Sequence, residues 1–253
     1  MSRRLRVNDA AHVSHPSQSR MKRPKAAPTC GMCGAVFSAA LRRTKDHVIP
    51  RGFYSDPPPE NLMTWGVCRP CQDELHPREE RLKNIFVCSY SHEPGAFGDA
   101  ADRTKRSARW DTPLYRGFFR SPEGLHVPAS VVMPDQADVD WVFKKVTRGL
   151  FYWTHGRLIA NVPLVARVLS PAAFDDLLEL KVDLGLPTHS QGLELKWLAV
   201  CPEDGLDHSI WVYVAFGAVP VAVWTGRMAT DYPIPPPSPI KVADGQYHCR
   251  TRP

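Results

Sequence analysis

Cys30-Gly31-Met32-Cys33 and Cys68-Arg69-Pro70-Cys71 are two C-x-x-C pairs, and what lies between them decides how the chain is read. First comes Thr44-Lys45-Asp46-His47-Val48-Ile49-Pro50-Arg51, then Pro57-Pro58-Pro59-Glu60-Asn61-Leu62. Each C-x-x-C turn delivers two thiolates from one knuckle, and two knuckles complete the tetrahedron that zinc prefers. Four thiolates leave no open position, so a structural Zn2+ on Cys30, Cys33, Cys68 and Cys71 is expected. Such an ion supplies folding energy to a segment too short to build its own core. The chain has seven cysteines and no apolar N-terminal segment of the secretory type, so metal binding in a reducing, cytoplasmic compartment is expected rather than disulfides.

A D-H-x-x-P segment, then a loop, then E-N-L, all enclosed by C-x-x-C pairs, resembles the HNH (ββα-metal) nucleases. The likeness covers about 55 residues, roughly a fifth of the chain. The phage junction-resolving nucleases are similar in setting an Asp-His pair among zinc-bound cysteines. The resemblance implies a DNA endonuclease that hydrolyses phosphodiester bonds with a catalytic Mg2+ or Mn2+. By it, His47 is the general base, Asp46 binds the catalytic ion, and Asn61 pins the loop and orients His47. A histidine suits the first role because a neutral imidazole with a pKa near 6.5 accepts protons at neutral pH. On a strand, neighbours point to opposite faces, so Asp46 and His47 serve one site only at a bent strand end.

The chain departs from the family pattern after the last cysteine, where Gln72 stands in place of His or Asn. A Gln carbonyl oxygen can ligate a hard cation. His76 is a further candidate, four residues on and so on the same helical face, as in the nuclease colicins, which look similar there. Pro77 disfavours helical geometry at His76, so the helix is expected to stop there and restart with Pro77 as its first residue. The alternative reading is a decayed nuclease whose zinc module binds nucleic acid without cutting it.

The formal net charge is +6, and residues 1–28 hold Arg3, Arg4, Arg6, Arg20, Lys22, Arg23 and Lys25 against Asp9 alone, which accounts for the whole excess. A basic tail on a neutral body suits loose attraction to phosphates. Lys45, Arg51 and Arg69 are the candidate DNA contacts near the site. Residues 103–120 interleave arginines with Trp110, Tyr115, Phe118 and Phe119; this suits a linker docked into the second body by its aromatics, with phosphate contact and base stacking as the other reading.

The expected organisation is a disordered basic tail (1–28), the HNH-like zinc module (29–84), a connector (85–107), a second body (108–230) and a Pro-rich tail (231–253), extended or disordered. The fold class is α+β, with antiparallel strands in the second body. Val139, Val142, Phe143, Val146, Leu150 and Trp153 recur at helical spacing, predicting an amphipathic helix over 138–154. Ser170 as N-cap and Pro171 as first helical residue open another. Strands are expected over 125–133, 193–201, 209–216 and 219–225. Arg148, His155 and Arg157 read as charges at the end of the long helix. DNA is the expected partner, with a protein partner or a second copy of the chain as candidates for residues 108–230. No apolar run is long enough to span a membrane.

Overall fold

The computed structural model of the chain describes residues 27–54, 58–89, 114–120, 126–183, 188–190, 195–200, 208–216, 219–231 and 233–242. The N-terminal basic tail, apart from residues 27 and 28, lies outside them, as do residues 103–113 of the basic-aromatic stretch. Strand β1 (Arg43–His47) pairs antiparallel with β2 (Thr64–Cys68), with His47 opposite Thr64 and Asp46 opposite Trp65. The Val48 N–H to Met63 carbonyl bond carries the pairing one residue further, and a short 3-10 turn, Arg51–Phe53, lies in the connecting loop. Helix α1 (Arg69–Ser89) leaves directly from β2, so the Cys/His segment has a strand, long loop, strand, helix order.

Helix α1 runs through Pro77 without a break, contrary to the expected stop at His76. A proline inside a helix forfeits one backbone bond and crowds the preceding turn, at a cost of about 3 kcal/mol. Packing on both sides of it outweighs that cost. Leu75, Leu82, Ile85, Phe86 and Val87 are all buried, and burying each such side chain contributes about 1.5–3 kcal/mol. The same burial extends α1 to Ser89, so residues 85–89 are helix rather than connector.

Beyond α1 come β3 (Leu114–Arg120) and β4 (His126–Val132), antiparallel to each other, then α2 (Gln136–His155). The Asp135 carboxylate caps α2 by accepting the Ala137 N–H at 2.8 Å, and Gly156 ends it at φ +70°, a conformation that costs a glycine little. Strand β5 (Leu164–Val168) leads to α3 (Pro171–Asp183), whose Ser170 Oγ accepts the Ala173 N–H as the capping residue types predict. Short β6 (His189–Ser190), then β7 (Leu195–Val200), β8 (Ile210–Ala215) and β9 (Val219–Thr225) complete a five-stranded sheet ordered β5-β9-β8-β7-β6. One-turn α4 (Arg227–Thr230) follows.

The Pro-rich segment is not free-standing. Its residues Ile240–Val242 form β10, which pairs with β4, and Ile240 is buried. An apolar residue with unpaired backbone on either side has two reasons to join a sheet edge, and the neighbouring prolines do not prevent it. Every strand pairing among the described residues is antiparallel, and the fold is α+β. No described helix is long and apolar enough to cross a membrane.

One buried cluster runs from Cys30 and Trp65 through Phe53 and Phe86 to Phe143, Tyr213, Phe216 and Ile240. Phe53 meets Phe86 at 5.8 Å and Phe216 at 5.7 Å between ring centroids, so the loop after β1, α1 and the end of β8 share an aromatic centre. Two groups of buried hydroxyl and indole side chains are matched in this interior. Thr147 and Tyr213 hydroxyls are 2.8 Å apart, and Trp211 donates to Ser209 Oγ at 2.8 Å.

Candidate metal centre and adjoining polar site

The first knuckle is shaped by two glycines. Gly34 adopts φ +75°, which lets its N–H turn back to the Cys30 carbonyl at 2.9 Å, while the Cys30 N–H reaches the Ala35 carbonyl at 2.8 Å. Gly31 lies on the Trp65 ring so closely that a Cβ there would overlap it, at 2.2 Å. The Gly31 N–H bonds to the Gly66 carbonyl, which fixes this knuckle to β2, and β2 carries Cys68 at its end. Cys71 follows in the first turn of α1.

The four sulfurs lie within 4.8 Å of one another, and those of Cys33 and Cys68 are 3.8 Å apart. A tetrahedron of ~2.3 Å zinc–sulfur bonds places its sulfurs roughly 3.8 Å apart. The set can therefore hold a metal ion, and four soft thiolates fit zinc. The Cys68 N–H donates to Cys30 Sγ at 3.2 Å. Cys30 is the thiol that ionises most readily: the Cys71 thiol donating to it, helped by backbone N–H groups, brings it to about 4 against the effect of burial. Cys71, as that donor and itself buried, is pushed up.

Arg148 stands behind this cluster. Its Nη1 donates to the Met32 carbonyl inside the first knuckle at 2.5 Å, and its Nη2 to the Val162 carbonyl at 3.4 Å. Burial lowers its pKa, while the negative charge of Cys30, Cys71 and Cys33 opposes that. Sequence spacing reads Arg148 as a helix-end charge; the structure instead turns it across α2 toward the thiolates. His155 and Arg157 do lie at that helix end, both against the Phe151 ring.

Arg148 is one of several residues on a single face of α2. Asp138 accepts from Arg78 at 3.0 Å and from Arg81 at 2.6 and 2.7 Å. Trp141 lies under the Arg78 guanidinium. Lys145 reaches Asp46 and Glu79, and Trp153 donates its indole N–H to the Thr64 carbonyl at 3.1 Å. Positions 138, 141, 145 and 148 follow helical spacing, so one side of α2 makes these contacts to the Cys/His segment, with Trp153 adding one further round the helix.

At the end of β1, Asp46 and His47 diverge. Asp46 is buried; its Oδ1 accepts the His47 N–H at 2.9 Å, and its Oδ2 lies 2.8 Å from Lys145 Nζ. His47 is half-buried, and its Nδ1 is buried with no hydrogen-bond partner. Burial lowers the His47 pKa; the Asp46 carboxylate pulls the other way, and Lys145, Arg51 and Lys45 add to the lowering. The imidazole is thus held neutral, with the exposed Lys45 and Arg51 near enough to be felt by it.

Gln72 and His76 are the other expected ligands of the catalytic ion, and Asn61 is the residue expected to pin the loop. Gln72 is half-buried, and His76 and Asn61 are exposed. Arg69 is exposed and paired with Asp73 at 2.8 Å. Among the described residues, the four cysteines are the only group of three or more His, Cys, Asp or Glu side chains whose ligand atoms converge. The inner oxygen of Asp46 faces the Lys145 ammonium, 2.8 Å away.

Sequence reasoning missed Glu79, Lys145 and Arg148. Glu79 had a legible signal: Gln72, His76 and Glu79 recur at helical spacing on α1. Lys145 lies 66 positions from Glu79, and Arg148 lies 116 from Met32, separations at which spacing says nothing. Comparison with known protein families, with curated proteins and with solved structures finds no match for the chain.

Proposed function

We propose that this chain is an HNH-like DNA endonuclease, with His47 as the base that activates water for phosphodiester hydrolysis. The observation that carries the reading is the position of His47. It is half-exposed at the end of the first strand of a strand–loop–strand–helix unit closed by a four-cysteine metal site. Burial keeps its imidazole neutral, so it can accept a proton at neutral pH. With Nδ1 enclosed, Nε2 is the nitrogen left to take the proton from water. Exposed Lys45 and Arg51 supply positive charge for the flanking phosphates. Zinc on Cys30, Cys33, Cys68 and Cys71 is structural in this reading, and four free thiols suit a reducing cytoplasm. Mg2+ or Mn2+, when bound, would supply charge for the pentacoordinate phosphorus and the leaving oxygen.

A second reading, a zinc module that holds nucleic acid without cutting it, is favoured by one observation: Lys145 occupies the inner side of Asp46. A plasmid-nicking assay on the zinc-loaded chain separates the two. Conversion of supercoiled DNA with Mg2+ or Mn2+, lost in EDTA and in His47→Ala while zinc content and fold persist, is the expected result. Retained cutting by His47→Ala would remove the mechanism. DNA binding with no product at any ion concentration would leave the binding module.

A further inference from the structure

The alternation of β1 puts His47 on one face with the exposed Arg43 and Lys45, while Thr44 and the buried Asp46 take the other. Pairing carries this face across the hairpin: Arg43 lies opposite Cys68, Lys45 opposite Gly66 and His47 opposite Thr64. Gly66 leaves the row of Lys45 open, and the Arg43 side chain fills the gap. A Cβ on Gly66 would meet Arg43 Nε at 2.5 Å and Cζ at 3.2 Å. The guanidinium thus leans along the hairpin, one row short of His47, with its Cζ 6.0 Å from the centre of the Phe37 ring.

The same device recurs on the other side of His47. In the turn Arg51–Phe53, a Cβ on Gly52 would meet Lys83 Cδ at 2.7 Å and Cε at 3.3 Å. The Lys83 stem therefore runs from α1 across the turn, beside Arg51, whose charge acts on the His47 imidazole. Neither glycine has a positive φ, so the backbone does not require either of them. What each supplies is room for a close approach, and at both places the approaching group is the stem of a cation.

Among the described residues, none of Arg43, Lys45, Arg51 and Lys83 makes a hydrogen bond or an ion pair. Arg69, Arg78, Arg81, Arg167 and Lys145, by contrast, all face carboxylates. Four cations flanking one histidine thus keep their charge for an outside anion. Seating two of the long side chains in advance reduces the ordering that binding must bring about.

We propose that Arg43 and Lys83, seated on Gly66 and Gly52, are the two ends of a phosphate track that passes His47. Lys45 and Arg51 lie between those ends. The ligand is a nucleic-acid strand held by its backbone, and these four contacts carry no base-sequence information. A strand held on both sides presents its internal phosphodiesters to His47 in preference to its terminal ones. The track rests on this geometry; its use in cutting DNA rests on the nuclease reading above.

The test measures binding of the full, zinc-loaded chain to a short fluorescent DNA duplex by anisotropy. No Mg2+ or Mn2+ is added, and salt runs from about 50 to about 200 mM. Arg43→Gln and Lys83→Gln are each expected to weaken binding at least three-fold. Each should also flatten the salt dependence by about 0.9 in log–log slope, the value of one phosphate contact. Gly66→Ala and Gly52→Ala keep every charge but push a stem off its seat, and each should weaken binding at least two-fold. Arg227→Gln, on α4, removes an equal charge elsewhere and should change affinity less than two-fold. Unchanged binding in Arg43→Gln or in Lys83→Gln overturns the two-sided track, as does an equal loss in Arg227→Gln or a parent that does not bind the duplex. Unchanged binding in both folded glycine variants overturns the seating. Zinc content and Tm are checked throughout; should a glycine variant misfold, the two glutamine variants, which alter only side-chain ends, still decide. A parent that binds as expected but never nicks a plasmid with Mg2+ or Mn2+ would count against the nuclease reading alone.

Discussion

Gly149 of α2 is seated against Val48, the residue that follows His47: a Cβ on Gly149 would meet Val48 Cγ1 at 2.6 Å and Cγ2 at 2.8 Å. Val48 is buried and its N–H is held by Met63, so it has little room to retreat. Gly149→Ala is therefore expected to destabilise the chain by about 1–3 kcal/mol, the usual cost of overpacking, despite alanine's better helix propensity. Moving Val48 also moves His47, so on the proposed nuclease reading DNA nicking should fall by more than the loss of folded protein explains. A stability gain in urea denaturation would show that the contact yields freely.

Arg148 offsets thiolate charge from behind the first knuckle and anchors the Met32 carbonyl. Outer contacts of this kind change metal affinity about 10–100-fold when removed. Arg148→Gln is expected to release zinc to a chromogenic chelator at least several-fold faster than the parent, with Arg148→Lys in between. Equal release rates for all three would show that the guanidinium acts only on the backbone.

Asp138 joins α2 to α1 through Arg78 and Arg81, with two bonds from Arg81 alone. Its carboxylate is nearly fully enclosed, whereas Arg81 is half-exposed and partly screened by water. Losing one partner of a buried pair costs about 3–5 kcal/mol, and the screening reduces this to about 2 kcal/mol for Asp138→Asn. The urea midpoint should drop accordingly, and an unchanged midpoint would mean that the two arginines find other partners at no cost.

Stability should fall as pH drops below about 6.5. Burial lowers the pKa of both His47 and His155 from that value, so in this window the unfolded chain binds more protons than the folded one. The contribution is complete above the unfolded value and is lost as pH falls through the folded ones. Glu79, raised by burial, has the opposite sign above 4.5, where its folded form retains a proton. Denaturation midpoints at about pH 7.5 and about pH 5.5 would check this. His155→Gln is expected to reduce the drop, and a drop of unchanged size would assign it elsewhere.

The parts legible in the sequence are those with short-range rules. Val139, Val142, Phe143, Val146 and Leu150 are all buried on α2, as their spacing requires, and the Ser170-Pro171 start of α3 follows from capping chemistry. The four cysteines converge as two knuckles should. Pro77 misled because a local rule about proline met long-range burial of Leu75 and Leu82 on either side of it. Strands β5 and β10 were missed for a related reason: each is short, and partners distant in sequence recruit it. At the site, residue types near His47 were legible, but the ammonium beside Asp46 comes from position 145, and no spacing rule links the two.

The stripe along α2 also sets an order of events during synthesis. The zinc knuckles can close once Cys71 has left the ribosome. Asp46 and Glu79 must then wait for Lys145, which emerges several seconds later at roughly 5–20 residues per second. Through that interval the apolar side of α1 lacks the helix that covers it. Maturation ends when a helix made later supplies the missing charge.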